Sequence, residues 1–273
     1  MPIVQTADRT ELYVKDWGDG RPVILVHGWP LNADSWEHQA LALTDAGYRV
    51  VSYDRRGFGR SGQPFSGYDY NCMADDTASV IDALDLRDAT LVGFSMGGGE
   101  VARYISRHGT SKLRQAALIS SIAPYMKKTD DNPDGVDAEV FSQMQEGVRK
   151  DRAAFMEDFF PNFYGNGTQA GGVSDSVLHW TWTMAMMASP RATLACIDAF
   201  GHTDLRQDMA AFDIPTLVVH GTGDEIVPIA PSGRAAAAAI PSATLKEYEG
   251  APHGLTATHA ERLNKDLIDF LKG

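Results

Sequence analysis

Three residues of this chain have the types and the order along the sequence that acyl transfer needs: Ser95, Asp224 and His253. Ser95 lies in Gly93-Phe94-Ser95-Met96-Gly97, directly after the apolar run Ala89-Thr90-Leu91-Val92. That arrangement predicts a serine held on a sharp, strained strand-to-helix turn, with Gly93 and Gly97 supplying the room for close backbone approach. A lone serine is a weak nucleophile, so it requires a base and an acid at the ends of other strands. The segment Thr216 to Val219 runs into His220-Gly221-Thr222-Gly223-Asp224, a turn that would expose Asp224 at the sheet edge. Tyr248 leads through Gly250, Ala251 and Pro252 to His253. In this reading His253 takes the Ser95 proton during attack and returns one to the leaving group, while an ionised Asp224 orients the imidazole.

The negative oxygen formed by that attack needs N–H donors. The Met96 amide, at the start of the helix after Ser95, is favoured by the helix dipole. The second donor is expected from the loop His27-Gly28-Trp29-Pro30, where the Trp29 amide is available and Pro30 has none. Other residues compete for these roles. His220 lies at a strand end but precedes the acid, and His27 is expected to hold its loop by hydrogen bonds. Asp213 precedes its strand, and Glu225 is the nearest substitute for Asp224. Gly97-Gly98-Gly99 lacks the Lys-Ser or Lys-Thr ending of a phosphate loop and reads as close helix packing. Asp130 to Gly135 lacks the closing Glu of a calcium loop and reads as a solvated loop. The residue patterns demand no metal and no cofactor.

Positioning such a set requires strands that end side by side. Val23 to Val26, Val50 to Tyr53 and Thr90 to Val92 are continuous apolar runs, as expected for strands buried on both faces of a mostly parallel sheet. Leu12-Tyr13-Val14 reads as an early hairpin strand, Leu118-Ile119 and Leu217 to Val219 continue the series, and Thr244 to Tyr248 reads as a more exposed last strand. Helical patterns fill the intervals at Ser35 to Ala46, Met73 to Leu84, Gly98 to His108, Ile229 to Ala239 and Ala260 to Leu271. The alternation breaks between about Tyr125 and Phe212, a stretch rich in Met, Phe and Trp. The expected organisation is therefore a core of residues 1–124 and 213–273 with a helical cap insertion at 125–212.

The chain has 273 residues and a net charge of -12, which disfavours nucleic acid and anionic membranes as partners. Its start lacks the basic and apolar parts of a signal peptide, and no segment is long enough to span a bilayer, so a cytoplasmic setting is expected. The two cysteines, Cys72 and Cys196, are far apart and read as reduced.

Taken together, Trp17-Gly18, His27-Gly28-Trp29-Pro30, Tyr53 to Ser61, Gly93 to Gly99 and Ala251-Pro252-His253-Gly254 resemble the bacterial arylesterases also called cofactor-free, or non-haem, haloperoxidases. The resemblance spans most of the chain, including Asp158-Phe159-Phe160 and Phe163-Tyr164-Gly165 in the cap. It implies an eight-stranded α/β-hydrolase core, activity on small carboxylic esters, and a second reaction in which hydrogen peroxide replaces water and a carboxylic acid is converted to a peracid that oxidises halide. Small lactams such as γ-lactams are substrates of some relatives, which leaves a small-amide hydrolase as an alternative. A ligand-binding receptor of the same fold is another, weakened by the complete Ser-Asp-His set. By position, Trp29, Phe94, Met126, Phe159, Phe163 and Ile226 are the candidates for an apolar pocket. Trp180, Trp182, Met184, Met186 and Met187 are expected to anchor the cap on the core, and exposed apolar cap surface would support self-association.

Overall fold

The computed structural model describes residues 2–273. Its centre is an eight-stranded sheet made of β1 (Ile3–Gln5), β2 (Glu11–Trp17), β3 (Pro22–Val26), β4 (Arg49–Tyr53), β5 (Ala89–Phe94), β6 (Leu113–Ile119), β7 (Thr216–Gly221) and β8 (Ala243–Tyr248). The spatial order is β1-β2-β4-β3-β5-β6-β7-β8. The first two strands form an antiparallel hairpin and β2 runs antiparallel to β4, whereas every pair from β4 to β8 is parallel. Strands β3 to β7 are covered on both faces, which is why their sequences are apolar without alternation.

Helices α1 (Glu37–Asp45), α2 (Tyr70–Ala83) and α3 (Met96–His108) lie between successive strands of the first half. Three more, α4 (Ala138–Phe163), α5 (Asp175–Met186) and α6 (Pro190–His202), all fall in the chain between β6 and β7. A short bridged hairpin precedes them, with Lys127 paired to Val136 and Thr129 to Asn132. Two short helices, α7 (Ala235–Ala239) and α8 (Leu255–Thr258), and the closing α9 (Ala260–Lys272) complete the fold.

The local code explains most boundaries. Asp69 accepts hydrogen bonds from the Asn71 and Cys72 amides, so α2 starts three residues before the apolar pattern does. Ser174 and Ser189 cap α5 and α6 in the same way, and Pro190 stands at the first position of α6, where its missing N–H costs nothing. Strand β6 begins at Leu113, well before Leu118, because the polar Gln115 is accommodated inside: its amide donates to the Phe270 carbonyl at 2.8 Å. The apolar face expected over Trp180 to Met187 is less uniform than its composition implies. Met184 is buried, whereas Met187 is 39 % exposed.

Candidate active site

Parallel strands place their C-terminal ends along one edge of the sheet, and the chemistry-bearing residues collect there. Ser95 follows β5 directly and has φ 54° and ψ −120°, a left-handed conformation that a side chain adopts only when its surroundings impose it. Three backbone bonds hold it. Its amide donates to the Ile119 carbonyl at 2.9 Å, and its carbonyl accepts from the amides of Gly98 at 2.9 Å and Ile122 at 3.3 Å. The flanking glycines are required by space. A Cβ at Gly93 would lie 2.4 Å from the Gly97 carbonyl oxygen, and one at Gly97 would lie 2.3 Å from that of Val26. Close packing also explains Gly98, where a Cβ would strike the Ser121 hydroxyl.

The partners arrive from two further strand ends. His253 Nε2 is 2.9 Å from Ser95 Oγ, and its Nδ1 is 2.7 Å from Asp224 Oδ2. Asp224 is buried beside β7, not displayed at an edge as its turn had suggested, because β8 lies outside it in the sheet. Its second oxygen, Oδ1, accepts from the Ile226 and Val227 amides at 3.0 and 2.8 Å. Burial raises the pKa of this carboxyl. The charge of His253 and hydrogen bonds from His220 and His253 outweigh burial and bring it down to about 2. The imidazole of His253 is fixed by rings on two sides, Phe94 at 5.2 Å and the edge of Phe163 at 4.9 Å between centroids. The Gly254 amide donates to the Phe163 carbonyl at 2.8 Å, which ties the histidine loop to the end of α4.

No hydrogen bond joins His220 to Ser95; it flanks the acid instead. It is fully buried, its Nε2 is 2.9 Å from the Val227 carbonyl and 3.3 Å from Asp224 Oδ2, and its Nδ1 has no hydrogen-bond partner. The acid therefore sits between two histidines, an arrangement hidden in sequence because His220 and Asp224 read as one turn.

The loop after β3 is held from below by a buried ionic network. Arg55 donates from its amide to His27 Nε2 at 3.0 Å and from its guanidinium to the His27 carbonyl at 2.6 Å. His27 Nδ1 faces the Gly28 carbonyl at 2.8 Å, so the neutral ring donates there and accepts from Arg55. Burial first, and the Arg55 charge second, hold the pKa of His27 well below 6.5. Arg55 is neutralised by Glu100 at 2.7 Å, and Glu100 also accepts from Tyr53 and Thr77. Neither the Trp29 nor the Met96 amide donates to another backbone group among the described residues. The Trp29–Pro30 peptide is cis, and the Trp29 indole donates to the Thr193 carbonyl at 3.0 Å.

A cleft opens above Ser95 and His253. It is lined by Trp29, Met126, Phe159, Phe163 and Ile226, all expected from sequence. Phe94 is not in the lining; it packs behind the site against Trp36, Phe163 and His253. Phe94 is the last residue of β5 and its ring is buried in the core, which is why adjacency to Ser95 misleads. Ile122, Val136, Val140, Phe141, Met144, Phe200 and Val227 complete the walls. The cavity volume of the cleft is about 40 Å³. Among the described residues, no group of three or more His, Cys, Asp or Glu side chains is placed to hold a metal ion, and no helix is long and apolar enough to cross a membrane. Both cysteines are free.

A twisted parallel sheet with a serine on the turn after its central strand, and an acid and a histidine from later strand ends, defines the α/β-hydrolase class. A family description for the alpha/beta hydrolase fold matches residues 21–260. The chain is 48% identical over 273 residues to a non-heme chloroperoxidase of Kitasatospora aureofaciens, covering 99% of each. It is 40% identical over 276 residues to a bifunctional esterase/perhydrolase of Acinetobacter calcoaceticus, covering 100% of each. The crystal structure of a bromoperoxidase from Bacillus anthracis superimposes with a TM-score of 0.96 at 44% identity, covering 100% of this chain and 99% of that one. The chain belongs to the non-heme haloperoxidase family of the α/β-hydrolase fold.

Proposed function

We propose that this enzyme is a serine esterase that transfers a small acyl group from an ester or carboxylic acid to water or to hydrogen peroxide. The unbroken hydrogen-bond chain from Ser95 through His253 to Asp224 carries the reading. Ser95 Oγ attacks the acyl carbon while His253 Nε2 accepts its proton, and the oxyanion is met by the Trp29 and Met96 amides, which no other backbone group occupies. His253 then protonates the leaving alcohol or water, and the acyl group remains on Ser95. Water attacking the acyl-enzyme gives the acid; hydrogen peroxide gives the peracid, with His253 taking one O–H proton in either case. The peracid oxidises halide after leaving, so neither metal nor haem is needed for this route. The small apolar cleft suits a short acyl chain. Residues 125–212 act as a cap that closes it, and residues 1–124 and 213–273 form the core that carries the three catalytic side chains.

Pro30 is assigned to the choice of acceptor. It restricts the backbone of Trp29, which aims the Trp29 carbonyl toward the acceptor site, where it binds a peroxide O–H. Replacement by Leu is expected to lower the ratio of peracid formation to hydrolysis; an unchanged ratio removes this assignment. The net charge of -12 disfavours nucleic acid and anionic membranes as partners, and the apolar cleft suits small neutral substrates.

The experiment is a partition measurement with phenyl acetate as acyl donor and rising hydrogen peroxide. One shared acyl-enzyme predicts that peracetic acid increases at the expense of acetate while phenol release accounts for both. A ratio of peracetic acid to acetate that differs between phenyl acetate and 4-nitrophenyl acetate at the same peroxide concentration would mean two separate routes and would end the reading.

A further inference from the structure

The chain has ten methionines, and two of them, Met126 and Met144, line the same small cleft as Ser95 and His253. Met126 is only 2 % exposed, while Met144 is half-buried on α4, four residues after the exposed Val140, which also lines the cleft. Met73, Met96, Met156 and Met209 are buried outside the lining. Met187 is the reverse case, 39 % exposed and outside the lining. The chain thus carries thioethers in three settings: beside the reaction, sealed in the core, and on the part-exposed Met187, whose sulfur accepts from Asn32 Nδ2 at 3.9 Å.

Resting on the peracid-forming reading, we propose that Met126 and Met144 are sites of turnover-dependent self-oxidation, each converted to the sulfoxide by peroxycarboxylic acid before it leaves the cleft. The reagent is produced next to these sulfurs in a space that admits little water. A thioether is a polarizable nucleophile, and a neutral peracid transfers its outer oxygen to such a group. In the step, the sulfur lone pair forms the S–O bond, the O–O bond breaks, and the hydroxyl proton passes to the carbonyl oxygen. The thioether is oxidised by two electrons and the peracid is reduced to its carboxylic acid, so no further reactant is required. The other polar lining groups, Ser95 and His253, offer no comparable site for oxygen transfer. The product places a polar S=O group in an apolar wall. Turnover with peroxide therefore limits itself, and the enzyme's later ester hydrolysis declines as the two sulfoxides accumulate.

The test uses the full chain incubated with acetate and hydrogen peroxide in excess free methionine, which destroys peracid once it reaches solution. Peracid formation is assayed in a parallel sample without the scavenger, and oxidation is read residue by residue by peptide mass spectrometry. Met126 and Met144 are expected to gain one oxygen each while Met187 is protected. Both should stay reduced in Ser95→Ala and in wild type given peroxide alone. Adding peracetic acid directly to Ser95→Ala should reverse the order, with Met187 oxidised first. If peracid forms but Met126 and Met144 stay reduced, are protected by the scavenger as fully as Met187, or are passed over in favour of Trp29, the inference fails and the peracid reading stands. Equal oxidation in Ser95→Ala with peroxide also overturns it. If no peracid forms, the reading and the inference fall together.

Discussion

Replacing Asp224 by Asn tests how the acid works, because the change removes a charge while almost preserving shape. In the native site Oδ1 accepts two backbone amides, Ile226 at 3.0 Å and Val227 at 2.8 Å, and Oδ2 faces His253 Nδ1 at 2.7 Å. An Asn side chain must keep its oxygen toward the two amides, since an NH₂ there would oppose two N–H groups. Its NH₂ then faces His253 Nδ1, which becomes the acceptor. The ring proton moves to Nε2, 2.9 Å from Ser95 Oγ, where the base should be. The wrong tautomer costs about 10⁴ in kcat, or roughly 5.4 kcal/mol of transition-state stabilisation. Steady-state hydrolysis of phenyl acetate at neutral pH reads the loss, with thermal melting to verify the fold. A loss below about tenfold in a folded variant would show that Asp224 does not set the tautomer. The same variant has a stability signature. The native carboxyl pKa is depressed from 3.8 to about 2, so it contributes roughly 2 kcal/mol that is fully present above pH 4 and disappears as pH falls toward 2. That acid-labile part should be missing in Asp224→Asn.

Gly97→Ala would set a Cβ against two backbone oxygens, Val26 at 2.3 Å and His27 at 2.9 Å, so the Ser95 turn must move away from the Trp29 loop. Activity should fall by about a hundredfold and stability by about 1–3 kcal/mol, read by kinetics and urea unfolding; activity within a fewfold of wild type would contradict the packing argument. His27 is held neutral in the folded chain, with its pKa depressed below 6.5, whereas the unfolded chain takes up a proton below that value. Stability from this group is present above pH 6.5 and is lost as pH falls, by at most about 1.4 kcal/mol per pH unit. Urea midpoints of wild type and His27→Gln between pH 7.5 and 5 should diverge in slope, and parallel slopes would remove the assignment.

The parts legible in sequence share a cause. Apolar runs without alternation marked β3, β4, β5 and β7, and glycines around Ser95 marked a turn whose backbone has no room for side chains. The order of Ser95, Asp224 and His253 needed only that each follow a strand. What stayed hidden depends on pairings between distant segments. Glu100 neutralises Arg55 from a helix that sequence marks only as glycine-rich, although a carboxylate directly after the Gly97-Gly98-Gly99 run and before Val101-Ala102 was the available signal. Gln115 lengthens β6 because a carbonyl of the last helix accepts its amide. Phe141, Met144 and Phe200 reach the cleft through the packing of α4 and α6, which no local pattern encodes, and Phe94 leaves it because a strand end turns that ring inward.

The central claim is that a single serine carries both ester hydrolysis and peracid formation. Its most direct test is Ser95→Ala, assayed side by side with wild type for phenyl acetate hydrolysis and for peracid formation from acetate and hydrogen peroxide. Both activities are expected to disappear together in a folded variant; peracid formation that survives the substitution would contradict a shared Ser95 acyl-enzyme.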